Sequence, residues 1–329
     1  MNIWKNLKEK SLNTGRAFTV LAPMEDVTDT VFRQLVVQEG RPDVLMTEFT
    51  NCDGLASQGR ERVIHRLSFS PEQHPIIAQV WGRKVDTYRQ AVSLVAEMGF
   101  DGIDINMGCP VPKVVKNGAG SGLIKEPDLA REIILAVREA IAESVNPQLS
   151  LSVKTRIGFS SIQPDWVKHL LEQPIDALTL HLRTTKELSK VPAHWELMPE
   201  FVSLRDATNS NIVLIGNGDI TTREQLATYR ARYNVDGLMV GRGIFENLWL
   251  FSPEEIHKEA RDRILLVKSH ILLFQQTWGN QKNFEMIKKF FRIYLKNFEG
   301  AAQLRQSLLQ LRTPEAMLQC IEQALIDLK

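Results

Sequence analysis

Two hydrophobic rhythms alternate along the chain. Short runs rich in aliphatic and β-branched residues end in polar or small ones: 18-FTVLAP-23, 43-DVLMTE-48, 75-PIIAQV-80, 101-DGIDIN-106, 149-LSLSVKTR-156, 176-DALTLH-181, 211-NIVLIGN-217 and 235-VDGLMVG-241. Between them lie stretches whose apolar positions recur three and four residues apart. In 127-PDLAREIILAVREAIAES-144, residues Leu129, Ile133, Ala136, Val137 and Ile141 share one helical face. In 86-DTYRQAVSLVAEMG-99, Asp86 suits an N-cap and Gly99 a C-cap. Apolar strands joined by amphipathic helices predict parallel β-α units. Eight such runs before about residue 250 predict an α/β fold of the closed (β/α)8 TIM-barrel type. An open doubly wound sheet is the competing expectation, but the turn after the first run reads APMEDVTD and lacks G-x-G-x-x-G.

The strand-like runs stop after residue 252. Helical patterns cover 254–278, 282–298, 301–311 and 314–328, with Gly279, Gly300 and Pro314 as punctuation. The pattern therefore predicts a barrel over residues 1–252 followed by a small all-helical domain over residues 253–329.

Composition narrows the setting. With 43% hydrophobic and 24% charged residues, the chain reads as an ordinary soluble globular protein. No run approaches the roughly 18 apolar residues of a membrane helix, and the start MNIWKNLKEKSLNTG lacks the apolar core of a signal peptide. Cys52, Cys109 and Cys320 are far apart, with no C-x-x-C pair. That spacing argues against a disulfide framework and a metal site, and for a reducing, cytoplasmic setting. A net charge of +1 gives no general polyanion-binding surface and leaves a local basic face open.

A barrel concentrates chemistry where its strands end, because the β-α loops converge there. The ends carry Pro23-Met24, Glu48, Gln79, Asn106 with Cys109, Lys154 with Arg156, His181 with Arg183, Asn217-Gly218-Asp219 and Gly241-Arg242-Gly243. One polar residue at a strand end is usually structural; eight ends in succession point to a site. The last two ends are glycine-rich. Glycine lets backbone N–H groups approach an anion, and barrels often hold phosphate after strands seven and eight. Lys154 adds a cation suited to negative charge on a reduced flavin ring, and Gln79 offers a hydrogen bond to the ring's amide edge. Flavin mononucleotide (FMN) accounts for the glycines, Lys154 and Gln79 together. A sugar phosphate accounts for the glycines alone.

These residues carry a resemblance. The segments 22-APMEDVTDTVFR-33, 47-TEF-49, 79-QVWG-82, 104-DINMGCP-110, 117-NGAGSGLIKEP-127, 152-SVKTRIGF-159, 181-HLRT-184, 213-VLIGNGDI-220 and 237-GLMVGRGIFENLWLF-251 resemble, in order, the motifs of the tRNA-dihydrouridine synthase family, flavoenzymes that reduce uridine in tRNA. The N-x-G-C-P run is the most specific. Three positions depart from the family pattern: Asp26 and Leu182 stand where glycine is usual, and Leu248 where proline is usual.

The resemblance implies reduction of the uracil C5=C6 bond, with a hydride to C6 from reduced FMN and a proton to C5 from Cys109 as general acid. A thiol suits that role, since its reference pKa of roughly 8.5 keeps it mostly protonated at neutral pH. The family's motifs place Asn106 near the uracil and assign His181 and Lys154 to the flavin, with Arg156 close by. Asn217, Gly218, Asp219, Gly241 and Arg242 fall to the phosphate region, and Ala22, Pro23 and Met24 to the edge of the ring. Glu48 and Arg183 are candidates for the substrate side. NADPH, or NADH, is the expected reductant, and the protein is expected to act as a monomer. Cys52 and Cys320 read as packing residues.

Binding tRNA calls for a basic surface. In 282-KNFEMIKKFFRIYLKNF-298, helical spacing gathers Lys282, Lys289, Arg292 and Lys296 on one side, with Lys288 beside them, and Phe284, Ile287, Phe291, Tyr294 and Phe298 on another. Trp81, Arg83 and Lys84 are candidates for the barrel rim. Two other functions fit parts of this pattern. An FMN-dependent reductase of a free pyrimidine or enone needs no helical tail, and a non-catalytic RNA-binding barrel needs neither Cys109 nor Lys154.

Overall fold

The computed structural model describes residues 2–252 and 254–328. Its strands are β1 (Phe18–Leu21), β2 (Leu45–Met46), β3 (Thr50–Asn51), β4 (Ile76–Trp81), β5 (Gly102–Met107), β6 (Ser150–Arg156), β7 (Ala177–His181), β8 (Val213–Asn217) and β9 (Gly237–Val240). All pairings are parallel, in the order β1-β9-β8-β7-β6-β5-β4-β2, and β3 adds to the end of β4. A parallel bridge between Val20 and Val44 brings β2 back to β1, with Leu21 N–H donating to Val44 O at 3.0 Å. The ring of eight predicted runs is therefore present, and β3 is an addition that the sequence pattern did not announce.

Side chains alternate across these strands, and the inward set fills the barrel. Its lower part is apolar: Phe18, Val20, Val44, Met46, Ile77, Ala177, Val213, Ile215 and Met239 form one buried cluster. Gly237 is required there, because a Cβ would lie 2.4 Å from the Phe18 ring. The helix Ile3–Thr14 adds Trp4 and Leu7 to the same cluster. Asn2 caps it by accepting from Trp4 N–H at 3.0 Å, and Ser11 Oγ donates to Asp236 O at 2.9 Å. This helix closes the N-terminal end of the ring.

The same end carries a repeated aspartate. Asp43 accepts from Thr19 N–H at 2.9 Å, Asp101 from Ile76 N–H at 2.7 Å, Asp176 from Leu151 N–H at 2.7 Å and Asp236 from Leu214 N–H at 2.8 Å. Each stands just before one strand and ties the start of the strand that precedes it. Each also meets a basic group: Lys10 at 2.8 Å, His74 at 2.7 Å, Arg138 at 3.1 Å and Arg205 at 2.7 Å. The rigid bottom leaves the other end of the ring for chemistry.

The described chain divides into two compact units, Met1–Thr30 with Pro42–Gly241, and Val31–Arg41 with Arg242–Lys329. In the second, Phe32 stacks on Phe290 with ring centres 4.8 Å apart, and the Trp249 indole N–H donates to Glu39 at 2.7 Å. Its longer helices are Ala260–Trp278, Ala301–Gln310 and Pro314–Asp327. The stretch expected as one helix over 282–298 is instead a 3-10 helix, Phe284–Phe290, followed by the single α-turn Phe291–Tyr294. Phe284, Ile287 and Phe290 recur every three residues, the period of a 3-10 helix. Phe291, Ile293, Tyr294 and Leu295 are buried as well, so the apolar positions follow no single α-helical face.

Candidate active site

The mouth is built on a polar layer set into the ring. Gln79, Asp104 and Ser152 are register partners on β4, β5 and β6. Asp104 is wholly buried and accepts from Gln79 Nε2 at 2.8 Å and Ser152 Oγ at 2.6 Å. Burial raises its pKa to about 6, against the pull of those two bonds and of Lys154. Asn106 Nδ2 then donates to Gln79 Oε1 at 2.9 Å. That bond fixes the Asn106 amide so that Oδ1 faces the following loop, where it accepts from the N–H groups of Gly108 at 3.1 Å and Cys109 at 2.9 Å.

Cys109 is thus held at both ends of its peptide unit. Its carbonyl accepts from Ser121 N–H and Ser121 Oγ, each at 3.0 Å. Gly120 (φ +55°) packs against it so closely that a Cβ would lie 2.9 Å from Cys109 O. The thiol is 8% exposed and packs with Val114, Ala119, Phe49 and Trp81. Burial pushes its pKa up; the Val111 N–H, Arg156 and Lys154 pull the other way. The net effect is a neutral thiol, a state suited to giving a proton and unlike an activated nucleophile.

Lys154 occupies the next layer, opposite Asn106 on β5 and Thr179 on β7. Burial lowers its pKa to about 8, with Arg156 adding to the effect and Asp104 and Cys109 opposing it. Among the described residues its ammonium has no hydrogen-bond or ion-pair partner. A half-buried cation without a partner fits an anionic ring.

The arginines shape loops. Arg156 Nε donates to Gly108 O at 2.9 Å, and its Nη1 to Thr184 O at 2.9 Å and Leu188 O at 3.0 Å. It thereby ties the cysteine loop to the loop after β7. Arg183 donates to Val191 O at 2.7 Å, pairs with Asp219, and lies 3.3 Å from His181 Nε2. A guanidinium only donates, so His181 Nε2 is the acceptor in this contact. Asp219 also accepts from Ala193 N–H at 2.8 Å. Glu48 is buried and accepts from Asp26 N–H at 2.7 Å. Asp26 has φ +58°, a left-handed conformation that aspartate tolerates and glycine adopts freely. Leu182 and Leu248 are wholly buried.

On the far side, Asn217 Nδ2 donates to Met239 O at 2.8 Å. Gly218 (φ +135°) has Ala193 where a Cβ would go, at 2.6 Å, and its carbonyl accepts from the Trp195 indole at 2.8 Å. At Gly241 a Cβ would meet only Ala22 at 3.7 Å and Met24 Sδ at 3.8 Å, which leaves space over the ends of β1 and β9. Pro23 and Met24 are half-buried beside it. Arg242 is exposed and opens the short helix Gly243–Glu246.

The expected basic residues separate. Lys289 and Arg292 are exposed. Lys296 is half-buried and donates to Phe245 O at 3.3 Å and Glu246 O at 2.5 Å. Lys288 is held by Glu285 and Leu309 O, and Lys282 lies over the Trp278 ring at 4.1 Å. Asp104, Ser152 and Ser121 were not expected at the site, although an aspartate inside the apolar run DGIDIN is a readable sign of a buried polar layer. Among the described residues no group of three or more His, Cys, Asp or Glu could hold a metal ion.

A neutral thiol and a desolvated ammonium at the strand ends of a parallel ring define a TIM-barrel enzyme site. The model of the family described as Dihydrouridine synthase (Dus) matches residues 20–329, and the chain belongs to that family. It is 43% identical over 312 residues to a "Probable tRNA-dihydrouridine synthase" of Staphylococcus aureus strain Mu50, covering 94% of this chain and 91% of that one. It is 40% identical over 333 residues to "Probable tRNA-dihydrouridine synthase 2" of Bacillus subtilis strain 168, covering 99% and 98%. Among solved structures, histamine dehydrogenase from Rhizobium sp. 4-9 is similar with a TM-score of 0.52 and 12% identity, over 78% of this chain and 48% of that one, a likeness of fold alone.

Proposed function

We propose that the protein reduces particular uridines in tRNA to 5,6-dihydrouridine, using FMN at the barrel mouth and NADPH, or NADH, as reductant. The observation that carries this reading is the neutral Cys109 thiol, held by Asn106 in the same mouth as the unpaired Lys154 ammonium. The names of the relatives support tRNA as the substrate.

When bound, FMN supplies the hydride for uracil C6. Cys109 Sγ holds the proton that C5 requires, and burial keeps it there at neutral pH. The Asn106 amide aims the thiol by fixing two consecutive N–H groups of its loop. Lys154 offsets negative charge on the reduced ring. Gly218 and Gly241 let backbone N–H groups reach the phosphate, with Asn217 and Arg242 alongside and Ala22, Pro23 and Met24 against the ring. Arg156, Arg183, His181, Asp219 and Glu48 hold the loops that carry these groups. Residues 1–252 do the chemistry and residues 253–329 hold the RNA, through Lys289 and Arg292. No helix of the described residues is long and apolar enough to cross a membrane.

The test has two parts. The purified protein should be yellow, releasing FMN identified by mass spectrometry. With NADPH it should form dihydrouridine in tRNA lacking the modification, read by nucleoside mass spectrometry. Failure to take up flavin on reconstitution, or reduction of a free enone without any reaction on tRNA, would overturn the reading.

A further inference from the structure

β3 is two residues long and adds no face to the ring. It lays the chain parallel to the end of β4, with Thr50 opposite Val80 and Asn51 opposite Trp81. The segment is anchored at both ends. Glu48 is buried before it, and after it Asn51 Oδ1 accepts from Gly54 N–H at 2.7 Å, capping the turn Cys52–Leu55. Phe49 and Trp81 consequently pack against Cys109, Val114 and Ala119, and both rings stay half-buried.

The indole N–H groups of Trp166 and Trp195 find protein acceptors, Thr155 Oγ1 at 3.0 Å and Gly218 O at 2.8 Å. The Trp81 N–H has none among the described residues, and Trp81 is not a buried unsatisfied donor. A partly open aromatic surface with a donor at its edge, against a proton-holding thiol, matches a flat ring that carries carbonyl oxygens. A base taken out of an RNA stack needs such a surface to replace its lost stacking.

We propose that Trp81, set beside Phe49 by β3, positions the extruded uracil against Cys109, meeting the rim of the base with the edge of its ring and offering its indole N–H to a base carbonyl. The proposal rests on uridine in tRNA being the substrate. It gives the unannounced strand a purpose: Thr47 ties the chain to the middle of β4 through Ile77 O and Gln79 N–H, and β3 extends that pairing past Phe49 to Trp81. The same two rings wall the thiol from water.

The experiment compares parent holoenzyme with Trp81→Ala, Trp81→Phe and Phe49→Ala, all in a Cys320→Ser background, so that Cys109 is the most accessible thiol. Trp81→Ala should lose roughly 10- to 100-fold in kcat/KM on tRNA, the range of one lost base–aromatic contact. Trp81→Phe should recover part of that loss, since it restores a ring without the donor. Alkylation of Cys109 by iodoacetamide should be several-fold faster in Trp81→Ala and in Phe49→Ala, with flavin content unchanged. An active parent whose Trp81→Ala variant matches it in both kcat/KM and alkylation rate overturns this proposal alone. A parent that leaves tRNA unreduced overturns it together with the function it rests on.

Discussion

The Asn106 side-chain oxygen accepts the backbone N–H of Cys109 at 2.9 Å, while the Asn106 amide nitrogen is committed to Gln79 at 2.9 Å. The thiol is therefore aimed from inside the barrel, by a line of hydrogen bonds that ends on the buried Asp104. A residue with no reactive chemistry of its own therefore fixes where the Cys109 loop stands.

Two substitutions separate aiming from donating. Cys109→Ala should slow uridine reduction by about 100- to 10,000-fold, the usual worth of a general acid. Asn106→Ala leaves two loop N–H groups and Gln79 Oε1 without partners, and should cost about 100-fold through misplacement of the thiol. Both should retain flavin. Single-turnover reduction of tRNA by prereduced enzyme measures the two rates, and an Asn106→Ala rate equal to the parent's would mean that Ser121 and Gly120 hold the loop unaided.

The pH dependence follows from two groups. Lys154 has its pKa lowered to about 8, so its ammonium is present below that value and lost as pH rises through it. Binding of reduced FMN, whose ring carries negative charge, should weaken across that window, and Lys154→Met should abolish the dependence while weakening binding below pH 8. The Cys109 pKa is raised by burial, so the thiol persists through the same window and thiolate forms only at higher pH. Anaerobic binding titration of the apoprotein with reduced FMN between pH 6 and pH 9.5 checks the first statement. A flat binding profile in the parent would remove Lys154 from the flavin site.

The strands were legible because parallel strands covered on both faces read as continuous apolar runs, and their ends announced the mouth. What escaped had weaker patterns. Helix Ile3–Thr14 buries only Trp4, Leu7 and Ser11, so its apolar positions are too sparse to announce a helix. β3 is too short for any period. Arg156, Arg183 and Asp219 were legible as polar strand-end residues, yet charge and position alone could not reveal that their hydrogen bonds go to neighbouring loops. The 3-10 turn over Phe284–Phe290 was misread because period three and period 3.6 differ little across seven residues.

The aspartates at the closed end should differ in worth. Asp236 and Arg205 are each 5% exposed and 2.7 Å apart. Asp236→Asn removes the buried carboxylate beside Arg205 and leaves that guanidinium to the half-exposed Asp206 at 2.5 Å, so it should cost about 1–3 kcal/mol. Asp43 meets Lys10, whose side chain is 63% exposed, and water replaces much of what Asp43→Asn removes, so about 1 kcal/mol is expected. Urea unfolding of the two variants gives the comparison. Equal losses would mean that the shared backbone bond, to Leu214 or to Thr19, outweighs the ion pair.

The basic residues of the helical unit make the sharpest distinction between surface and structure. Lys289 and Arg292 are exposed, whereas Lys296 is turned inward onto Phe245 O and Glu246 O, and burial lowers its pKa. If the unit holds tRNA, Lys289→Ala and Arg292→Ala should each weaken binding and reduce the slope of log affinity against log salt by roughly 0.7–0.9, the effect of one lost phosphate contact. Lys296→Ala should leave that slope near the parent's, because its ammonium is already occupied. Its effect should appear as a lower unfolding midpoint, since two backbone carbonyls lose their donor. Flavin content and NADPH oxidation should be unchanged in all three. Filter-binding titrations at several salt concentrations, with thermal unfolding alongside, separate the two behaviours. If Lys296→Ala changes the salt slope as much as Arg292→Ala does, the inward lysine swings out to meet RNA, and the division between them fails.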